Sequence, residues 1–324
     1  MRSQWAYYRR VFAAYVLGGN SHLTFWHGTP EMDPEAPVDR LGQYYMTFAG
    51  KAAYPGPFDD RGVPLLDYRG SIGRQYNPVA IAQYGLGNHS LYSRTGSDEA
   101  YRKFLLSADW LTDHLEPNFR DVPVWNHKFD FEYRDVLVAP WYSGLAQGQG
   151  ISMLVRAHRE TSNEKYLEAA HQAFAAFLCS LDEGGVTWEW PDGGIWFEEY
   201  IVHPRTHILN GFIWALWGVY DYMLATGDPQ AYTLFRRGVD TLVRRLYLYE
   251  WGCWSLYDLP GTRIRNVASP FYHRLHVVQL RATERLVALP VLGSYADRWN
   301  GYLRNSWYRR RALVRKGLFK LLHY

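Results

Sequence analysis

The stretch ILNGFIWALWGVYDYMLATGDPQAYTLFRRGVDTLVRRLYLY, residues 208–249, decides the fold. An apolar run reaches Ala225 and is followed by the turn Thr226-Gly227-Asp228, after which a second helical run begins at Pro229. Glycine ends helices because it adopts left-handed φ angles freely, aspartate caps a helix start, and proline is tolerated in the first turn. The stretch therefore predicts a pair of helices joined by a short turn.

The same arrangement recurs along the chain. Turn threonines fall at Thr95, Thr161 and Thr226, which gives spacings of 66 and then 65 residues. The eight predicted helices are 78–94, 98–115, 144–160, 164–181, 208–225, 229–249, 273–287 and 293–303. Helix pairs repeated at a fixed period are typical of solenoids and toroids. We therefore predict a mainly α protein, an incomplete (α/α) toroid or barrel of about four helix pairs.

Three parts of the chain are predicted. Residues 1–77 form an N-terminal helix near 4–17 and a small irregular or β segment, with a strand expected within 42–53. Residues 78–305 form the toroid. The tail, 306–324, carries six basic residues and no acid, and reads as a basic amphipathic helix. Such a helix either binds an anionic surface or an acidic polymer, or packs on the body with a solvated basic face.

Composition limits the classes of function. Aromatic residues make up 17% of the 324 residues, and aromatic faces pack on sugar rings, so either a carbohydrate ligand or an aromatic-rich core is expected. Cys179 and Cys253 are too few for a disulfide framework. His203 and His207 are separated by a proline and have no obvious third ligand, so no metal site is expected. The helical body is not basic, which argues against nucleic acid, and no apolar run is long enough to span a membrane.

Longer connections, 116–141, 182–207 and 250–272, link one helix pair to the next and must emerge on the same side of the toroid. Loops on one side of a rigid scaffold are where a functional site is expected. Glu198 and Glu199 lie in such a loop, among aromatic residues that would raise the pKa of a carboxyl group by excluding water. The alternative interpretation is a strand bearing a solvated glutamate pair.

Several segments resemble the D-glucuronyl C5-epimerase family, which acts on heparosan and heparan sulfate. The resemblance covers roughly residues 62 to 303 in order. Its segments are Gly62-Val63-Pro64, Ile81-Ala82-Gln83-Tyr84-Gly85-Leu86, Ala146-Gln147-Gly148-Gln149-Gly150-Ile151-Ser152, Leu154-Val155-Arg156-Ala157, Trp196-Phe197-Glu198-Glu199-Tyr200, Leu209-Asn210-Gly211-Phe212, Gly218-Val219-Tyr220-Asp221, Leu256-Tyr257-Asp258-Leu259, Asn266, Tyr272-His273, His276 and Gln279-Leu280. The glutamate pair followed by Leu209-Asn210-Gly211-Phe212 is the specific part.

The resemblance implies conversion of D-glucuronate to L-iduronate within a polysaccharide, without a cofactor. A base removes the C5 proton, neighbouring groups stabilise the carboxylate-enolate, and an acid returns a proton to the opposite face. By resemblance, Glu199 and Tyr272 are the opposed pair, supported by Tyr257 and Tyr200. The implied substrate-binding residues are Gln83, Tyr76, Gln147, Asn210, Arg263, Asn266, His273 and Arg205. Asn210 as a helix cap and His273 as a structural histidine remain open alternatives.

The chain departs from the family pattern in places. About 60 residues, predicted to be largely helical, stand where vertebrate-type enzymes carry a central β-sandwich, so we expect a short form that lacks it. Ser269-Pro270-Phe271 replaces a segment with an arginine before the second catalytic tyrosine. Pro260 replaces another arginine, for which Arg263 and Arg265 are close enough to substitute. These changes bear on which polymer is bound more than on the reaction.

Other functions remain open from sequence. A uronan lyase begins with the same proton abstraction, a glycoside hydrolase would use two carboxylates, and a glycan-binding toroid would need only the aromatic rim. The expected partner is an acidic polysaccharide and not nucleic acid. A homodimer and peripheral membrane contact through the tail are further expectations, as is a cytoplasmic prokaryotic location, at the inner face of the membrane.

Overall fold

The computed structural model describes residues 25–133 and 136–323. Within these ranges the helices are α1 Ala49–Ala52, α2 Pro78–Thr95, α3 Asp98–Asp113, α4 Gly144–Thr161, α5 Glu164–Leu178, α6 Leu209–Thr226, α7 Pro229–Arg245, α8 Pro270–Val287, α9 Pro290–Arg304 and α10 Ser306–His323. Four successive helix pairs, from α2–α3 to α8–α9, pack side by side. The predicted N-terminal helix near 4–17 lies outside the described residues.

Each pair has an inner and an outer helix. In α6 every residue from Leu209 to Tyr222 is buried, and in α4 every residue from Gly144 to Ala157. The partner helices α5 and α7 bury one face only. A helix that is apolar all round is typical of the interior, whereas an amphipathic helix borders solvent. This is the arrangement of an incomplete α/α toroid, with α2, α4, α6 and α8 as the inner helices.

The turns between paired helices are where the sequence predicts them. Gly96, Ser162 and Gly227 end α2, α4 and α6 with φ angles of 68°, 55° and 69°. Helix α8 begins three residues earlier than expected because the hydroxyl of Ser269 accepts a hydrogen bond from the backbone N–H of Tyr272 (3.3 Å). Tyr272 therefore lies in the first turn of an inner helix.

Inner helices α4 and α6 approach each other backbone to backbone. A Cβ placed on Gly218 would lie 2.2 Å from the carbonyl oxygen of Gly148, and one on Gly148 would lie 2.5 Å from the Cα of Ala215. The close crossing fixes the two helices whose first turns border the site.

The prediction of a strand within 42–53 is wrong. Residues 44–46 are all buried and form no strand; a single bridge joins Met32 and Met46, and α1 follows directly. Alternate burial of side chains is what a strand on a two-faced sheet requires. This segment instead crosses the toroid, where Tyr45 donates a hydrogen bond to Asp221 (2.6 Å) and Arg156 binds the same carboxylate through both terminal nitrogens (2.7 and 3.1 Å).

The strands are short hairpins in the connections. They are β1 Leu66–Asp67 with β2 Arg74–Gln75, β3 Glu116–Pro117 with β4 Pro123–Val124, β5 Phe131–Glu132 with β6 Val136–Leu137, and β7 Thr187–Glu189 with β8 Ile195–Phe197, all antiparallel. No β-sandwich stands between α2 and α4 in the described residues.

Helix α10 confirms that the tail is helical and shows how part of it packs. Ala312 and Phe319 are buried against the body, whereas Trp307, Leu321 and Leu322 are more than 60% exposed. Membrane contact through this exposed side stays a prediction, as does the three-part division of the chain. Among the described helices, none combines the length and apolar character that crossing a bilayer requires.

Candidate active site

A cavity of about 470 Å³ opens at the end of the toroid where the inner helices begin. The connections predicted to share one side all reach it, since they contribute His127 and Trp141, Glu199 and Tyr200, and Phe271 and Tyr272. The N-terminal segment forms the remaining wall, from Phe25 to Lys51. Much of the lining is aromatic, which suits the apolar faces of sugar rings.

Glu199 is the buried carboxylate of this cavity, with 5% of its surface exposed. Burial raises the pKa of Glu199 to about 8; nearby Asp258 and Glu198 raise it further, while hydrogen bonds with Tyr200 and Asn210 oppose the shift. The amide of Asn210 donates to the carboxylate (3.3 Å). A carboxyl group that titrates near neutral pH inside a cavity can act as a general base or acid.

Glu198 has a different environment from its neighbour. It is fully buried behind the cavity wall, where Nδ1 of His207 lies 2.5 Å from its Oε1 and the backbone N–H of His207 donates to Oε2 (3.1 Å). Its backbone oxygen accepts from Gly144 at the start of α4 (2.8 Å). Glu198 therefore anchors the loop to the body and leaves Glu199 to face the cavity.

Three tyrosines surround Glu199. Burial raises the pKa values of Tyr200 and Tyr257 well above 10, and the charges of Glu199 and Tyr272 add to both shifts. The rings of Tyr257 and Tyr272 pack edge to face with centroids 4.8 Å apart. Tyr272 lines the cavity, and Tyr257 packs behind it. The four residues predicted to carry the chemistry are thus brought together from two connections, 182–207 and 250–272.

Two of the predicted substrate-binding residues also line the cavity. Asn210 is held by Gln279 of α8, whose amide donates to its backbone oxygen (2.9 Å), and Oε2 of Glu199 accepts from its side chain. The Asn210 amide is thus directed at Glu199. Gln83 lies in α2 and donates to Gln149 of α4 (3.0 Å).

The other predicted substrate-binding residues lie outside the cavity lining. Gln147 is fully buried and bonds to backbone groups, among them Trp125 N–H (3.0 Å) and the carbonyl of Ala173 (3.0 Å). His273 is buried between the Ser255 hydroxyl (2.7 Å) and the carbonyl of Trp299 (2.9 Å). Both side chains already have partners in the core, which favours a structural role for each; their part in binding substrate stays a prediction.

The remaining four also lie outside the cavity lining. Asn266 accepts a hydrogen bond from Lys316 (2.7 Å), and Tyr76 donates to Asp59 at the surface (2.8 Å). Arg205 donates to a neighbouring carbonyl and lies over Trp188, and Arg263 is exposed. The predicted arginines therefore do not supply positive charge to the cavity.

Lys51 is a lining residue that sequence reasoning missed. Its side chain is largely buried, and burial lowers its pKa to about 7. Nothing in the surrounding sequence marks it, because it lies in a four-residue helix within a segment expected to be a strand. His127 also lines the cavity, stacked on Trp141 with ring centroids 3.7 Å apart, and burial lowers the pKa of His127 to about 3.

Fold and site together define a toroid with a buried carboxylate and tyrosines at one rim, and comparison with known proteins places it in a family. The chain belongs to the D-glucuronyl C5-epimerase family, whose C-terminal domain, described as "D-glucuronyl C5-epimerase C-terminus", matches residues 120–301. The matched part contains Glu199, Tyr200, Tyr257 and Tyr272.

Individual relatives support the assignment. A D-glucuronyl C5-epimerase of Caenorhabditis elegans is 36% identical over 217 residues, covering 61% of this chain and 34% of the relative. An uncharacterised protein of Methanocaldococcus jannaschii is 31% identical over 182 residues, covering 55% of this chain and 58% of the relative. The chain thus spans between about a third and three fifths of these relatives.

A solved structure shares the fold. A family 105 glycoside hydrolase of C. acetobutylicum superimposes with a TM-score of 0.50 at 14% identity, covering 72% of this chain and 64% of the other. Likeness at this identity concerns the α/α toroid alone.

Proposed function

We propose that this protein inverts C5 of glucuronate residues within a heparosan-like polysaccharide. The observation that carries the proposal is the buried Glu199 carboxyl, with its pKa of about 8, in one cavity with Tyr272. Family membership supplies the reaction class. The aromatic lining suits a sugar chain.

Glu199 is the base of the proposed reaction. The C5 hydrogen of a uronate is weakly acidic because the adjacent carboxylate is already negative, so a base near neutral pKa is needed. Tyr200 and Tyr257 have strongly raised pKa values and are protonated at neutral pH, which makes them poor bases. Glu199 takes the C5 proton, and the C–H electron pair moves into the carboxylate to give an ene-diolate.

Tyr272 is the acid of the proposed reaction. Its hydroxyl returns a proton to the opposite face of C5, which leaves Glu199 protonated and Tyr272 as a phenolate. Exchange with solvent then restores both groups. Because the proton taken from C5 is not the proton returned, each inversion in D2O introduces deuterium at C5.

The test is incubation of heparosan with the protein in D2O, followed by NMR of the polymer. We expect deuterium at C5 and iduronate signals without chain cleavage. Glu199→Gln and Tyr272→Phe should each abolish exchange, whereas Glu189→Gln and Tyr232→Phe, which change exposed side chains of the same types, should not.

Other results would contradict the proposal in distinct ways. An unsaturated, ultraviolet-absorbing chain end would show a lyase, and new reducing ends without unsaturation would show a hydrolase. Binding of heparosan with neither exchange nor cleavage would show a glycan-binding toroid.

A further inference from the structure

The C6 carboxylate of the substrate and the ene-diolate formed from it need a cation, which the predicted arginines do not provide. Of the described residues that line the cavity, Lys51 is the only lysine or arginine. It faces the same cavity as Glu199 and Tyr272. Preorganised positive charge placed where negative charge develops is a large source of catalysis in a site that excludes water.

The environment of Lys51 leaves its charge available. Its Nζ donates a hydrogen bond to the backbone oxygen of Phe25 and lies 4.2 Å from the centroid of the Phe25 ring and 5.4 Å from that of Trp26. Within residues 25–133 and 136–323 it forms no ion pair with an acid. A buried ammonium with neutral partners only gains most from an incoming anion.

Lys51 is also linked to the reacting wall. Trp26 lies beside it, and the next residue, His27, packs edge to face on Phe271 and Tyr272 (4.9 and 6.0 Å between centroids). Helix α1 is seated on α2 at Gly87, where an added Cβ would lie 2.7 Å from the carbonyl oxygen of Phe48. Lys51 therefore lies on a helix that packs closely against α2, and a residue with a side chain at position 87 would prevent this packing.

Resting on the proposed function, we propose that Lys51 binds the C6 carboxylate of the reacting uronate and neutralises the ene-diolate formed during inversion. The site would select carboxylate-bearing sugars over neutral ones. An anion brought against Lys51 favours its protonated form. Uronate binding near pH 8 therefore takes up a proton.

The test measures binding apart from turnover, in the Glu199→Gln background. Calorimetry compares a heparosan oligosaccharide with its carboxyl-reduced, neutral counterpart, in buffers of different ionisation enthalpy. Lys51→Met keeps an unbranched side chain as far as Cε and removes the ammonium group, and methionine is easily buried, so the variant should fold. Lys165→Met, at an exposed pair with Asp109, is the matched control.

We expect Lys51→Met to weaken binding of the heparosan oligosaccharide by at least tenfold, to abolish proton uptake, and to leave binding of the reduced oligosaccharide unchanged. Equal binding of heparosan by Lys51→Met and its parent would overturn the proposal, as would equal losses for both oligosaccharides. Deuterium exchange by the unaltered protein reports separately on the proposed function. Carboxylate-selective binding lost in Lys51→Met, without exchange in the unaltered protein, would uphold the lysine site and refute the epimerase.

Discussion

Gly211 lies directly against the carboxylate of Glu199: a Cβ on Gly211 would be 2.2 Å from Oε2 and 2.7 Å from the Cβ of Glu199. Gly211 occupies the first turn of α6, next to Asn210, whose amide donates to the same oxygen. The first turn of α6 therefore holds this oxygen both by the hydrogen bond from Asn210 and by contact with the bare backbone of Gly211.

Gly211→Ala should displace the Glu199 carboxylate and lower kcat on the order of a hundredfold, because misplacing a reacting group by about 1 Å costs that much. Gly301→Ala, in α9, is the control, since no neighbouring group lies within 4 Å of a methyl group added there. The measurement is deuterium exchange beside thermal unfolding. An active Gly211→Ala would show that Glu199 does not need its present position.

The dependence of kcat/KM on pH should follow ionisation of Glu199. A base works only when deprotonated, so with a pKa of about 8 for Glu199 in the free protein, activity should rise with pH towards a maximum between about pH 7 and 8. Above about pH 8 it should fall again, because Lys51, with a pKa of about 7 in the free protein, must be protonated to bind the uronate carboxylate. Below about pH 7 it should fall close to tenfold per unit of pH. A profile that is flat between pH 6 and 9 would contradict this assignment.

Asn210→Ala should move that rising limb to higher pH. The Asn210 amide donates to the Glu199 carboxylate and so favours its charged form; without it the pKa of Glu199 rises. The expected signature is a shift of the rising limb, with activity equal to that of the unaltered protein well above pH 8. A loss that is equal at every pH would instead show that Asn210 acts only by contacting substrate.

Asp221→Ala should strongly destabilise the fold. It would leave buried Arg156 without its bidentate partner and Tyr45 without its acceptor, and breaking a buried pair from one side costs about 3–5 kcal/mol. Lys128→Ala, which breaks an exposed pair with Glu116, should change the free energy of unfolding by no more than about 1 kcal/mol. Urea unfolding followed by tryptophan fluorescence measures both.

Lys316→Met should reduce turnover although α10 lies outside the cavity. Lys316 donates to Asn266, whose backbone oxygen accepts from Tyr257, and its Nζ lies 5.4 Å from the Tyr257 ring centroid. The hydrogen bond from this charged group is worth about 1.5–3 kcal/mol and positions Tyr257, so its loss should lower kcat by at least about tenfold. Arg310→Ala, exposed on the same helix, should leave kcat unchanged. Equal kcat values in both variants would assign α10 no part in the site.

Local physical chemistry made much of the fold readable from sequence. The turns at Thr95, Thr161 and Thr226 could be predicted because left-handed glycines and capping side chains act within a few residues. The order of the pairs then put the long connections on one side, and Glu199 could be placed there with Tyr272. These inferences required no knowledge of which side chains meet across the toroid.

The tertiary structure alone decided which polar groups face the cavity. Gln147 and Gln83 could not be told apart from sequence as substrate-binding residues. In the structure the side-chain amide of Gln147 is hydrogen-bonded to backbone groups of other elements, whereas Gln83 lines the cavity. Lys51 gains its position and its lowered pKa only when residues 25–52 fold across α2. Burial and electrostatic fields depend on residues distant in the chain, and so the sequence determined the scaffold and its rim, whereas packing decided the chemistry of the cavity.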